Sequence, residues 1–327
     1  VPEAADLARF QRDLIALTQE APTRARPLAV AVSGGPDSMA LLVLAASAFP
    51  DAAVAATVDH GLRDASAEEA RMVAREAEQL NLPHVILNVA GPIAGASLQA
   101  RARDARYVLL AGWAEEARAL AIATAHHADD QAETFLMRAS RGSGVSGLAS
   151  IRSVTVIGGA TVVRPLLGWR RAALRAIVRR AGLPFVDDPA NSDPRYDRTR
   201  FRQLLDRNEW LDPPALARTA AAVAEAERDL GEMALLMWRE RVEITSDAVV
   251  LNPAGLPRDT LRRLVRRAIA TVRAAHDITT PVFDESANIE AMLDSLLAGR
   301  RATHGGVLAG TRRGRWQFRV APSRRSV

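Results

Sequence analysis

Cysteine is absent from this 327-residue chain, and so is lysine: all 43 basic residues are arginine. The first absence excludes disulfides, thiolate metal sites and cysteine nucleophiles. The second excludes a Schiff base or an amine nucleophile supplied by the protein. Coding bias, visible also in the abundance of alanine, accounts for the arginine usage. Its consequence is a basic chemistry carried wholly by a planar, always-charged fork that suits phosphate. No apolar run is long and charge-free enough to span a bilayer, and no signal peptide is visible. A soluble cytoplasmic protein without a membrane partner is expected. The chain opens at Val1 rather than Met, which fits a trimmed N-terminus.

Net charge is +5, unevenly spread. Residues 1–137 carry 11 arginines against 18 acids and residues 208–299 carry 10 against 15. Residues 138–207 carry 14 arginines against 5 acids, and residues 300–327 carry 8 and no acid. Two basic blocks in an otherwise acidic chain suggest contact with a polyanion, the other reading being solvated surface. The length suits two domains of ordinary size.

The stretch that organises the rest is L-A-V-A-V from Leu28, then Ser33-Gly34-Gly35-Pro36-Asp37-Ser38, then an Ala/Leu-rich segment to Pro50. The first part reads as a buried parallel strand and the last as a helix. Glycines let backbone approach a ligand, and a helix start offers unpaired N–H groups to anions. The unit therefore reads as a phosphate cradle; a plain strand-to-helix turn capped by Ser or Asp is the alternative. No G-x-x-x-x-G-K-[ST] occurs. The hexapeptide resembles the PP-loop of N-type ATP pyrophosphatases, which split ATP between the α and β phosphates and adenylate a second substrate.

Strand and helix then alternate. Strands are expected at 54–58, 84–89 and 120–125, and helices at 5–20, from Ser66 (with Glu69 as a capping box) to Leu80, at 97–118, and after 126 to Ser140. Parallel strands with helical crossovers predict an α/β fold, a doubly wound parallel sheet with its ligands beyond the carboxyl ends of the strands. S-G-G-P-D-S, Asp59-His60-Gly61-Leu62-Arg63 and His126-His127-Ala128-Asp129-Asp130-Gln131 would meet on that edge. A Gly-rich loop at 141–149, a hairpin turning at Gly158-Gly159, a basic helix closed by Gly182, a polar loop 187–200 and a helix to Asn208 follow. Pro213-Pro214 marks the expected boundary between a first domain, 1–212, and a smaller mixed α and β domain, 213–327. In the latter a long helix to 241, a strand within 242–251, helices at 257–275 and 284–298 and an Arg-rich hairpin at 303–320 are expected.

The run T-A-H-H-A-D-D-Q-A-E-T-F-L-M-R-A-S-R-G-S-G-V-S-G-L, ending at Leu148, resembles the signature of tRNA(Ile)-lysidine synthetases. V-D-H-G-L-R at 58–63, R-P-L-L at 164–167 and D-D-P-A-N-S-D with R-T-R-F-R at 187–202 match further motifs of that family in order and spacing. The resemblance covers about residues 28–207 and implies the PP-loop ATPase fold (adenine nucleotide alpha-hydrolase-like). It implies ATP with Mg²⁺ as cofactors, and as partners free L-lysine and tRNA(Ile) with a CAU anticodon. The reaction implied has two steps: the wobble cytidine is adenylated at its C2 oxygen, then lysine displaces AMP to give lysidine. The second domain resembles the family's first C-terminal domain loosely and is expected to bind tRNA. Monomer and homodimer are both compatible with the sequence.

The residues suit that chemistry. Ser33, Gly34, Gly35, Pro36 and Ser38 form the pyrophosphate cradle, and Asp37 suits Mg²⁺ through hard oxygen donors. Asp130 is expected to act on the lysine ammonium or the metal, with His127 near the adenylate. His126, His127, Asp129 and Asp130 also have the donors of a transition-metal cluster, though without a thiolate, and Asp129 is expected to cap the helix that follows. His60 is either an adenine or ribose contact or a structural histidine, and His84 is structural. Arg103, Arg106 and Tyr107 match a family segment near the anticodon base: Arg103 is assigned to a phosphate at the reacting centre and Arg106 to RNA, while Tyr107 also reads as core. Arg138, Arg141, Arg198, Arg200 and Arg202 are candidates for the tRNA backbone, whose contacts give salt-dependent affinity. Aromatics make up only 4% of the chain, so stacking on splayed bases can fall to arginine planes. A PP-loop tRNA thiolase would use cysteine, which is lacking. A glutamine-dependent amidotransferase would need a glutaminase domain. A non-catalytic RNA-binding protein would not need every polar position of both motifs.

Overall fold

The computed structural model describes residues 2–61, 66–89, 91, 98–187, 197–284 and 287–322. Leu62 and Arg63, Ser97 and the loop 188–196 lie outside the described residues. The chain divides into two compact units, Val1–Ala224 and Glu225–Val327.

In the first unit the helices are α1 (Ala4–Thr18), α2 (Pro36–Ala48), α3 (Ser66–Gln79), α4 (Leu98–Glu116), α5 (Ala128–Ser140), the single turn α6 (Val145–Leu148), α7 (Arg171–Ala181) and α8 (Asp197–Arg207). The strands are β1 (Leu28–Ala31), β2 (Ala53–Asp59), β3 (His84–Asn88), β4 (Ala121–Ala123), β5 (Val154–Ile157) and β6 (Ala160–Val163). They form one sheet in the order β3-β2-β1-β4-β6-β5, parallel except for the last strand. The chain leaves β1 through α2 to pair with β2 on one side, while β4 pairs on the other. The direction of winding thus reverses between β1 and β4, and the crevice beyond their carboxyl ends is where such sheets bind ligands.

Side-chain alternation explains the layering. Leu28, Val30 and Val32 point to the face covered by α1, α2 and α7, whereas Ala29 points to the face covered by α4, with Ile122, Val162, Tyr107 and Leu110. A parallel sheet buried on both faces needs such uninterrupted apolar strands. In α2, Met39 to Ala45 are all buried, as expected of a helix that is apolar all round. The β5–β6 hairpin turns at Gly158 and Gly159, with φ of 59° and 85°, the positive angles of a tight two-residue turn. The Gly-rich segment 141–149 is loop except for α6. His84 sits in the sheet with its Nε2 2.9 Å from Thr57 Oγ1.

α9 (Pro213–Arg241) begins at the Pro213-Pro214 pair, and the division between units falls inside it. The second unit holds α10 (Arg258–Ala275), α11 (Glu290–Leu297) and a five-stranded antiparallel sheet ordered β7-β8-β11-β10-β9. Its strands are β7 (Val242–Ile244), β8 (Val249–Leu251), β9 (Ala302–His304), β10 (Val307–Arg312) and β11 (Arg315–Val320). The single strand expected within 242–251 is instead a hairpin, because Thr245 and Ala248 bond to each other and reverse the chain. The expected terminal hairpin gains β9 as a third strand. One sheet face, with Val249, Leu251, Trp316, Phe318 and Val307, packs with α10 and α11 in a separate core. Among the described residues no helix is long and apolar enough to cross a membrane.

Candidate active site

The loop between β1 and α2 is held open by its own polar groups. Gly34 has φ +82°, and Gly35 is extended and caps α2, which Pro36 opens. The Ser38 hydroxyl donates to Gly35 O at 2.9 Å and accepts from the Ser33 N–H at 3.1 Å, with Ser33 Oγ 3.2 Å away. The Val186 N–H donates to Gly34 O at 2.9 Å. The first-turn N–H groups of α2, which have no helical partner, therefore face a loop whose shape is already set. A methyl group on Gly35 would make only ordinary contacts, 3.7 Å from Ser33 Oγ and 3.9 Å from Val186 O. Glycine is a favoured N-cap residue, and at this position it also leaves the backbone open to close approach by a ligand. Asp37 lies in the first turn, and its Oδ1 is buried without a hydrogen-bond partner.

The H-H-A-D-D-Q segment leaves the neighbouring strand, β4. The N-cap of α5 is His127, not Asp129 as expected: its Nδ1 accepts from the Asp130 N–H at 3.3 Å, and its own N–H donates to Asp130 Oδ2 at 3.0 Å. With Nδ1 accepting, the ring proton belongs on Nε2, which lies 3.4 Å from Asp37 Oδ2 and 3.5 Å from Asp130 Oδ2. Burial pushes the His127 pKa down, but its bond to Asp37 and the charges of Asp130, Asp37 and Asp129 outweigh it, so the pKa is raised. Burial likewise opposes the Asp130 charge, yet His127 and Arg198 hold its pKa low. His126 is the opposite case. Burial, reinforced by Arg164, Arg198 and Arg103 against Asp130, lowers it to about 3 and keeps it neutral; its Nδ1 is 3.0 Å from Thr124 Oγ1.

Asp129 turns away from its own helix. It accepts from the Arg171 N–H at 2.8 Å, capping α7, and from Arg170 Nε at 3.3 Å. Among the described residues no group of three or more His, Asp and Glu is placed to hold a metal ion.

A family model described as a PP-loop domain matches residues 7–208. The tRNA(Ile)-lysidine synthase of Zymomonas mobilis is 43% identical over 305 residues, covering 92% of this chain and 90% of that one. The tRNA(Ile)-lysidine synthase of Novosphingobium aromaticivorans is 41% identical over 303 residues, covering 91% and 90%. The chain belongs to the tRNA(Ile)-lysidine synthase family. A solved U34-tRNA thiolase from Methanococcus maripaludis shares the fold, with a TM-score of 0.56 and 16% identity over 68% of this chain and 80% of that one.

In this member of the lysidine synthase family the predicted basic residues fall into four groups. Arg198 donates to Asp130 Oδ1 at 2.7 Å and Glu133 Oε2 at 2.8 Å, and Arg202 donates to Glu133 Oε1 at 2.7 Å, so both bind α8 to α5. Arg141 pairs with Asp197, and Arg200 is exposed. Arg138 is turned inward, donating to Gly147 O at 2.7 Å and Ser150 O at 3.3 Å; it shapes the Gly-rich segment. Gln131 assists by bonding both backbone groups of Ile151. Arg103 and Arg106 lie against Tyr107. His60 is half-buried with Nδ1 unpartnered, and burial, then Arg106, lowers its pKa.

No role was expected of Glu133, which is 1% exposed, nor of Arg164 or Arg170. For Glu133 a signal existed: Arg198 and Arg202 are four residues apart, so one helix face presents both to one partner.

Proposed function

We propose that the chain joins free L-lysine to C2 of the wobble cytidine of tRNA(Ile) bearing CAU, consuming ATP. The cytidine O2 attacks the α-phosphorus and pyrophosphate leaves. The lysine ε-amine then attacks C2, and AMP leaves with the oxygen. The observation that carries this reading is the pairing of the two motifs at the β1–β4 crevice. The phosphate loop carries Asp37, whose Oδ2 lies 3.4 Å from His127 Nε2 while its buried Oδ1 has no partner, in a chain that matches lysidine synthases over nine-tenths of its length.

The residues take distinct roles. Backbone N–H groups of the loop and the Ser33 and Ser38 hydroxyls bind the departing pyrophosphate. Asp37 fits Mg²⁺, because its buried Oδ1 lacks a donor and one carboxylate plus substrate phosphates is that ion's usual protein setting. Bound there, the ion would neutralise charge that develops on the phosphates. His127 keeps Asp37 and Asp130 apart in a fixed array. Asp130 is an anion suited to the lysine ammonium. Arg103 and Arg106 are suited to phosphate groups, Arg106 to those of the RNA backbone.

The test is pyrophosphate release from ATP with CAU tRNA, with and without lysine, followed by analysis of the modified nucleoside. Release that depends on tRNA, and lysidine that depends on lysine, are expected. RNA binding without ATP turnover would overturn the reading in favour of a binding module.

A further inference from the structure

Three guanidinium groups gather around one phenol. On α4, Arg103 Cζ lies 5.1 Å and Arg106 Cζ 5.4 Å from the centroid of the Tyr107 ring. Arg164, at the end of β6, stands beside the same side chain. It is 4% exposed; its Nη1 donates to Arg152 O at 2.7 Å and Thr155 Oγ1 at 3.1 Å, and its Nε is buried without a partner. Among the described residues no carboxylate neutralises any of the three.

This arrangement is unfavourable by itself. Like charges repel, and for Arg164, the buried member, a missing counter-charge is costly. The ring quadrupole offsets part of this by attracting the cations on its faces. Tyr107 is only 5% exposed and belongs to the core with Leu110, Ile122 and Val162. The ring is fixed, and the exposed Arg103 and half-buried Arg106 rest against it, which narrows where their guanidiniums lie. The cluster stands at the carboxyl edge of the sheet, where Arg103 and Arg164 act on His126 and Arg106 acts on His60. The counter-charge it lacks has the chemistry of a phosphate oxyanion, which both ATP and RNA carry.

We propose that Tyr107 is a positioning residue whose buried ring sets Arg103 and Arg106 as one clamp for the RNA backbone, with Arg164 as a third, fixed cation behind it. This rests on the reading that the chain acts on tRNA. RNA is favoured over ATP because α4, which carries Arg103 and Arg106, covers the face of the sheet opposite α2, the helix that the phosphate loop opens. A single-stranded loop also presents successive phosphates, which two side-by-side guanidiniums match.

The test measures affinity for a CAU anticodon stem–loop across a salt series, and affinity for ATP separately, in Tyr107→Phe, Tyr107→Leu and the double variant Arg103→Gln/Arg106→Gln. Phe keeps the ring and is expected to stay within about threefold of wild type in RNA affinity. Leu is expected to weaken RNA binding about tenfold and to lower the salt slope by about one to two, the size expected for lost phosphate contacts. ATP affinity should not change. If Leu destabilises the fold, the double variant carries the decision: it should lower the slope by about two. An unchanged slope there, equal damage by Phe and Leu, or a loss confined to ATP would overturn the proposal. Failure of wild type to form lysidine would sink the enzymatic reading alone and leave this comparison intact.

Discussion

Gly34 and Gly35 are neighbours whose substitution by alanine should fail differently. At Gly34 the backbone angle of +82° strains any side chain, while the nearest atoms, on Met72 and Val73, are a comfortable 3.5 Å from a new methyl. Gly34→Ala should therefore destabilise the fold by about 1–2 kcal/mol through the backbone alone, read as a lower urea midpoint. Gly35 has an ordinary φ of −74° and room for a methyl. Gly35→Ala should lower stability by about 1 kcal/mol or less, the cost of alanine as an N-cap, and depress pyrophosphate release beyond what that loss explains, because the methyl would stand in the proposed approach of the phosphates. Full turnover in that variant would remove the cradle role from Gly35. Asp37→Asn preserves shape and removes the charge. Pyrophosphate release should fall about 10²-fold or more, the scale of losing one preorganised electrostatic group, while the tRNA dissociation constant holds. Normal turnover would take Asp37 out of the reaction.

The elements around the crevice are tied by contacts of very different legibility. The alternation of apolar strands and Ala/Leu helices made the parallel sheet readable, and glycine at 158–159 and at 182 marked a turn and a helix end by its freedom at positive φ. β7 and β8 were not separable, because three residues each are too few for alternation to emerge and the turn between them holds no glycine. At the site, the phosphate loop was legible as a local pattern. The capping of α5 was not: histidine is not a usual N-cap, so the neighbouring Asp129 drew the role that His127 performs. The α5–α8 tie joins residues 65 and 69 apart, beyond any local pattern. Glu133 is buried and accepts from both Arg198 and Arg202, so Glu133→Gln would leave Arg202 without its counter-charge and Arg198 with Asp130 alone. Because those arginines are partly exposed, water offsets part of the loss, and destabilisation of about 2 kcal/mol is expected. It should appear as faster proteolysis at α8 with α1 and α2 unaffected. Unchanged proteolysis would show that α8 is held by its apolar contacts.

At the scale of the whole molecule, two separate cores predict that the protein does not unfold as one cooperative body, and the second unit carries a distinct acid sensitivity. Arg258 donates to Glu290 Oε2 at 2.7 Å and to Asp294 Oδ1 at 2.6 Å, Arg262 bonds Glu290 and Asp259, and Arg263 joins Asp259 to Glu227. These bonds link α9, α10 and α11. Arg262 and Arg258 lower the Glu290 pKa from 4.5 to about 2. Burial opposes the Asp259 charge, but Arg263 and Arg262 outweigh it and the pKa falls. A carboxylate whose pKa is lowered by folding stabilises the folded form fully above its unfolded value, and that contribution is lost as pH falls towards the folded value. The window for Glu290 is therefore pH 4.5 down to about 2. Across it, amide hydrogen exchange in peptides from α10 and α11, corrected for intrinsic rates, should accelerate more than in peptides from α2. Because both groups sit near the surface, salt should reduce the effect. Glu290→Gln has no proton to gain in this window, so its α10 and α11 peptides should exchange faster than wild type at pH 6 and change less on acidification. An equal acid response in wild type and variant would show that the network does not hold α11 to α10.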